Sequence, residues 1–247
     1  MKERDHKIHP EHKKVSPPKI WKHEYFKEYL LALGRGPCYF EAIKNFPEEI
    51  ELSDVWHKTF NQLRRETSDG LERYLFIATD QQSHSILLPR NPVTGSEDKI
   101  SSEDKFKHIL WGIEKNIDEG DMIGGMHSHP WGSVFSAGDL YDLVYYRHSA
   151  VEGLAGKNAN AIAFGTRETG NTDFRYLLMD KSQKDFMNYW YSSNGYKRHG
   201  AYLRKIDGSP AGFNDILKIE SLIAQRHNLV IYRGEPNQPV KRVYPPV

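Results

Sequence analysis

A chain of 247 residues is long enough to bury a substantial core, either as one large domain with extensions or as two small ones. Its 34 Lys and Arg nearly cancel its 33 Asp and Glu, leaving a formal net charge of +1, so no global field selects nucleic acid or an anionic membrane, and neither is expected as a partner. Cys38 is the one cysteine, which excludes an intrachain disulfide and a thiolate-built zinc site; any metal must rest on His and carboxylate ligands. No apolar run reaches the ~18 residues of a membrane span, and the polar start Met1–His6 lacks the apolar stretch of a secretory signal, so a cytoplasmic protein is expected.

Residues 1–18 are rich in Lys, His and Glu and read as a flexible polar arm, in which His6, His9 and His12 are expected as solvated tail residues, with adventitious metal binding as the alternative. Residues 19–50 read as an N-terminal helical extension: Trp21, Tyr25, Phe26, Tyr29, Leu30 and Leu33 recur at helical spacing and Gly34 stops the run. A second helix is expected over 53–65, capped by Ser53, with Val55, Trp56, Phe60 and Leu63 on its apolar face. The period then changes to that of a β-hairpin, 71–78 and 86–88 around a polar turn. A polar loop over 91–103 and an amphipathic helix over 104–117 follow.

Residues 122–127, Met-Ile-Gly-Gly-Met-His, form a buried-strand candidate whose glycines allow close backbone approach. A helix over 139–148, a flexible stretch at Gly153–Gly156, strands over 161–164 and 174–179, helices over 183–191 and 214–226, and a strand over 229–232 complete the pattern. The interleaving predicts an α/β or α+β sandwich. Residues 51–235 are expected as the functional domain and 236–247 as a proline-rich tail.

His127 and His129, at i and i+2 on a strand, point to one face and can present two imidazole nitrogens to one ion. Asp139, in the first turn of the next helix, supplies a third ligand. Two imidazoles, one carboxylate and an open position is the coordination of a catalytic zinc, one Zn2+ per chain. Such a site also needs a Glu to carry a proton, and Ser136 is placed to donate a hydrogen bond to a developing oxyanion. The same residues allow plainer roles. Ser136 and Asp139 make a capping box for the helix they open, and His-x-His pairs arise by chance in a chain with 12 histidines.

The segment Gly125-Met126-His127-Ser128-His129-Pro130, followed by Ser136-Ala137-Gly138-Asp139, resembles the signature of the JAMM (MPN+, JAB1/MPN/Mov34) zinc metalloproteases, whose members include isopeptidases that remove ubiquitin or ubiquitin-like modifiers. Six residues separate His129 from Ser136, one fewer than in the family pattern, which points to a divergent, prokaryotic-type branch. The likeness covers roughly residues 53–180. It implies an MPN/JAB-like, cytidine-deaminase-like mixed sheet flanked by helices. It further implies a catalytic Glu on the first strand after the helix over 53–65, which selects Glu72 over its competitor Glu66 at the end of that helix. A protein substrate, ubiquitin-like or its conjugate, is the partner it implies.

Two other His-x-His families do not fit. A cupin needs Glu where Ser133 and Val134 stand, and too little chain follows His129 for the rest of a barrel of about 250 residues. Two alternatives to the isopeptidase remain: a non-catalytic MPN-like scaffold that binds proteins, and an effector or toxin protease using the same chemistry. Trp131 and Phe135 either grip an extended peptide or pack their loop against the core. For Cys38, after Gly36-Pro37, a turn or core role is expected.

Overall fold

In a computed structural model of the chain the described residues are 18–34, 43–89, 91–96, 122–130, 132–145, 149–165, 180–199 and 202–246. Residues 1–17 of the expected arm with its three histidines, Cys38, Trp131, the helix over 104–117 and the strand over 174–179 lie outside them. Twelve strands and five α-helices occur among the described residues. The strands are β1 (Ile20–Trp21), β2 (Glu49–Ile50), β3 (Arg73–Asp80), β4 (Ser85–Leu87), β5 (Val93–Thr94), β6 (Met122–Ser128), β7 (Val151–Ala155), β8 (Asn160–Phe164), β9 (Tyr196–His199), β10 (Tyr202–Lys205), β11 (Val230–Gly234) and β12 (Val240–Tyr244). The helices are α1 (His23–Leu33), α2 (Asp54–Glu66), α3 (Ala137–Tyr145), α4 (Asp180–Ser192) and α5 (Phe213–His227). None is long and apolar enough to cross a membrane.

The main sheet is mixed and runs β1-β2-β12-β11-β8-β7-β6-β3-β4, with β5 also paired to β3; β9 and β10 form a separate hairpin. The α/β class expected from the alternation of elements is what forms, with helices on both faces of the sheet. Period-2 alternation makes this possible. On β8 and β11, Ile162, Phe164, Val230 and Tyr232 join a core with α1 and α2, while Ala161, Ala163 and Ile231 join a second core with α3, α4 and α5.

α1 and α2 form where their apolar spacing predicts, with two local differences. Tyr25 and Val55 stay exposed, at 48% and 56%, because each helix buries only the stripe facing the sheet. Ser53 stands at the N-cap of α2 with extended backbone but makes no side-chain capping bond.

Three larger expectations change. The supposedly flexible stretch at Gly153–Gly156 is mostly β7, a fully buried strand between β6 and β8. Its glycine is there for closeness: a Cβ on Gly153 would lie 3.0 Å from the Met126 side chain on β6. Residues 19–50 carry more than a helix, since β1 and β2 extend the sheet and Trp21, Phe26, Leu30 and Phe46 join its core. The proline-rich end contributes β12, antiparallel to both β11 and β2.

β6 and β7 are parallel neighbours, and α3 lies between them in sequence. In such a unit the end of the first strand and the start of the following helix come together at one edge of the sheet. His127, His129 and Asp139 stand at those two places.

Candidate metal centre

His127 is the penultimate residue of β6 and is 4% exposed. Its ladder partner on β7 is Leu154, which faces the α3 side of the sheet. His129 continues the alternation beyond the strand end, its N–H donating to the Ala155 carbonyl at 3.3 Å. The imidazole rings therefore share a face, with centroids 4.8 Å apart. Ser128 between them points the other way: its hydroxyl oxygen accepts from the Arg73 amide at 2.9 Å and its hydroxyl is hydrogen-bonded to that of Thr67. The middle residue of His-x-His thus ties β6 to the turn after α2.

Asp139 enters from α3. The Ser136 N–H donates to Asp139 Oδ2 at 2.6 Å, and the Asp139 N–H donates to Ser136 Oγ at 3.3 Å. This is the capping box anticipated from the spacing, and it holds together with a role toward the histidines rather than instead of it. A second amide at the helix start, that of Ala137, donates to the Tyr191 hydroxyl at 3.3 Å, so Asp139 stands on an anchored turn.

The donor atoms converge. His127 Nε2 and His129 Nε2 are 3.1 Å apart, and the nearest Asp139 oxygens lie 3.4 Å from the first and 3.3 Å from the second. Ligands about 2.0–2.1 Å from a tetrahedral ion are separated by roughly 3.3 Å, so these spacings fit one small metal ion. His127, His129 and Asp139 are a group able to hold one.

A residue the sequence did not reveal orients this trio. Glu152, on β7 and 4% exposed, accepts from His127 Nδ1 at 2.8 Å. That bond leaves the Nε2 lone pair of a neutral His127 aimed at His129 and Asp139, the arrangement by which a carboxylate fixes the tautomer of a metal-ligating imidazole. The charges reinforce one another. Burial opposes a charged His127, but Asp139 and Glu152 outweigh it and hold its pKa well above the ordinary imidazole value. Burial likewise opposes ionisation of Asp139, and the two imidazoles hold its carboxyl well below the usual range.

Glu72 directly precedes β3. Its N–H donates to the Ser96 carbonyl and its carbonyl accepts from Gly95, both at 2.9 Å. Its carboxylate, 10% exposed, lies 3.8 Å from His129 Nε2. The neighbouring Arg73 turns back to bond Asp69 at 2.5 Å and the carbonyls of Leu71 and Glu72 at 3.0 and 3.3 Å. Gly70 closes this turn at φ 85°, a left-handed conformation favouring glycine. Glu66, the competitor, accepts instead from Gln62, one turn earlier on α2, at 2.8 Å. The site gathers Glu72, His127, His129, Ser136 and Asp139.

No family model matches the chain, and neither does any curated protein.

The loop between His129 and Ser136 is fastened from behind. Glu220 on α5, 2% exposed, accepts from the Phe135 amide at 3.0 Å and takes two 2.8 Å bonds from Arg233, whose Nε donates to the Ser133 carbonyl. Phe135 itself is buried in the α3 core, so of its two anticipated roles packing is the one it fills. A cleft of about 350 Å³ opens beside His129, lined also by Arg64, Thr67, Asp69, Pro130, Ala155 and Lys157.

Proposed function

We propose that the chain is a zinc-dependent hydrolase that cuts a peptide or isopeptide bond. The observation that carries this reading is the convergence of His127, His129 and Asp139, at the spacing a tetrahedral ion requires, with the Glu72 carboxylate 3.8 Å from His129 and a cleft lined in part by His129 alongside. A largely enclosed trio, with His127 buried and its imidazole oriented by a carboxylate, suits Zn2+, and three protein ligands with an open fourth position suit catalysis rather than structure. The ion would lower the pKa of a water toward ~7 and polarise the substrate carbonyl.

The remaining work falls to side chains. Glu72 takes the proton of the attacking water and returns it to the leaving amine. Its carboxylate lies 3.8 Å from His129 Nε2, close enough to reach a water held at the open position beside that ligand, and such contacts tighten with substrate in place. Ser136 accepts from the Asp139 amide through Oγ, and its O–H has no acceptor among the described residues, which suits donation to a developing oxyanion. His127, His129 and Asp139 would hold the ion.

The resemblance of His-Ser-His-Pro and Ser-x-x-Asp to the JAMM signature supports the same chemistry, and the β6–α3–β7 unit that carries these residues suits an MPN-like domain. On that resemblance the substrate class is a ubiquitin-like protein, as precursor or conjugate. The test is direct. Purified protein should contain about one zinc per chain by elemental analysis and should cleave members of a panel of ubiquitin-like fusions. Glu72→Gln should keep the zinc and lose roughly 10²–10⁴-fold in kcat. Protein without stoichiometric metal, or chelated protein that cleaves as fast as untreated protein, would refute the reading.

A further inference from the structure

We infer that the cleft beside His129 receives a substrate carboxylate, so that the bond cut is one flanked by a free chain terminus or an acidic side chain. The inference rests on the proposed hydrolase reading for its consequence, but the binding it requires can be measured without turnover.

At about 350 Å³ the cleft lies at the small end of the ~300–1,000 Å³ typical of ligand pockets, and it admits a short stretch of peptide. Its lining is cationic. Arg64 is half-buried and fixed by three hydrogen bonds, from Nε to the Gly156 carbonyl at 2.9 Å, from one terminal nitrogen to Asn61 Oδ1 at 2.8 Å, and from the other to Asn160 Oδ1. Asn160 is fully buried on β8, so one of the three anchors of the guanidinium lies within the sheet, while Asn61 holds it from α2. All three acceptors are neutral, and among the described residues no carboxylate lies within ion-pair distance of Arg64. Lys157, which follows β7 and whose amide donates to the Gly132 carbonyl at 3.2 Å, also has no carboxylate partner among them. The one acid in the lining, Asp69, is already paired with Arg73.

A half-buried guanidinium with no carboxylate partner among the described residues contributes little to stability, and burial lowers the Arg64 pKa. It becomes favourable when an anion arrives, because a guanidinium has five N–H donors and those not already engaged can meet a planar carboxylate. Asp139 and Glu72 stand against His129 outside the cleft lining, where the proposed ion would answer them. Within that lining Asp69 is answered by Arg73, which leaves Arg64 and Lys157 as the lining charges without an ion-pair partner among the described residues. A neutral peptide would leave that charge unanswered.

The experiment compares three peptides with the zinc-loaded protein: N-acetyl-Leu-Ala-Ala, its C-terminal amide, and N-acetyl-Leu-Ala-Asp amide. The expected result is a kcat/KM advantage of roughly ten- to hundredfold for a carboxylate-bearing peptide over the neutral amide, and the pattern between the first and third tells terminal from side-chain carboxylate. Arg64→Gln and the surface variant Lys157→Gln should each shrink that ratio within their own substrate series, mainly through KM; a loss of packing alone would lower all three peptides together. Equal cleavage of the three, or a preference that survives both substitutions, overturns the inference. Should no peptide be cleaved, the hydrolase reading is what suffers. The inference is then decided by NMR: N-acetylalanine should shift the Arg64 side-chain Nε–H resonance, while its amide should not. No shift with the carboxylate overturns it.

Discussion

Glu152 and His127 meet on neighbouring parallel strands through a 2.8 Å hydrogen bond from Nδ1 to the carboxylate, with both side chains about 5% exposed. A buried carboxylate tied to the far nitrogen of a candidate ligand sets which nitrogen is free. Glu152→Gln keeps the size and can still bond His127, but it no longer favours the Nδ1–H tautomer or supplies a charge. Zinc affinity should fall about 10–100-fold, read by competition with a chromogenic chelator. An unchanged affinity would mean that the pair serves the core and not the ion.

The pH dependence should have opposite signs with and without metal. Metal and proton compete for His127 Nε2, and Asp139 and Glu152 raise its affinity for the proton. Zinc affinity should therefore weaken on acidification from a pH above the usual imidazole range, by about tenfold per pH unit for each proton displaced. Metal-free protein should behave the other way. Because the folded-state pKa of His127 is raised, its contribution to stability is complete below the unfolded value and is lost as pH rises through the folded one. Asp139, depressed, contributes above its unfolded value and loses that contribution only as pH falls toward strong acid. Denaturant midpoints across pH for both forms check this; parallel slopes would contradict it.

Gly124 and Gly132 make a matched pair. A Cβ on Gly124 would stand 1.7 Å from the Val151 carbonyl oxygen on β7, whereas one on Gly132 meets nothing within 4 Å. The first clash is with backbone, so β6 and β7 must part. Gly124→Ala should cost at least the ~1–3 kcal/mol of an overpacked core and weaken metal binding by shifting His127. Gly132→Ala, in the loop before Ser136, should stay within about 0.5 kcal/mol of wild type. Thermal melts of metal-free protein separate the two.

How much of this was legible in sequence depends on the reach of each pattern. His127, His129 and Asp139 were legible because strand alternation and helix capping are local rules that place side chains within a few residues. Glu152 was not. Its neighbours Gly153 and Gly156 read as a flexible stretch, and nothing in Val-Glu-Gly-Leu-Ala tells a solvated Glu from one facing a histidine 25 positions earlier. β12 was hidden by the prolines around it, and two-residue strands such as β1 and β2 are too short to show a period. The hairpin of β9 and β10 carries basic residues that masked its alternation. The partner strand or helix, rather than the segment itself, decides each of these.

Glu220 and Arg233 offer the most severe test of the loop that separates His129 from Ser136. Their side chains are 2% and 16% exposed, and burial raises the Glu220 pKa against the opposing pull of Arg233. Glu220→Ala removes three acceptor contacts at once and leaves the Arg233 charge and the Phe135 amide without the partner they had. Breaking one side of a buried pair costs about 3–5 kcal/mol; the partial exposure of Arg233 puts the expectation near the lower figure. Glu220→Gln retains an acceptor for the Phe135 amide and should cost less. If the loop is held chiefly by this pair, Glu220→Ala should also lower zinc affinity, because Asp139 follows the loop by a few residues, and Arg233→Met combined with it should restore part of the stability without restoring the affinity. Urea unfolding at one pH, with zinc affinity measured on the folded fraction, gives both readouts. A stable Glu220→Ala protein with wild-type affinity would show that the Ser136–Asp139 capping box and the Tyr191 contact are enough to hold the start of α3.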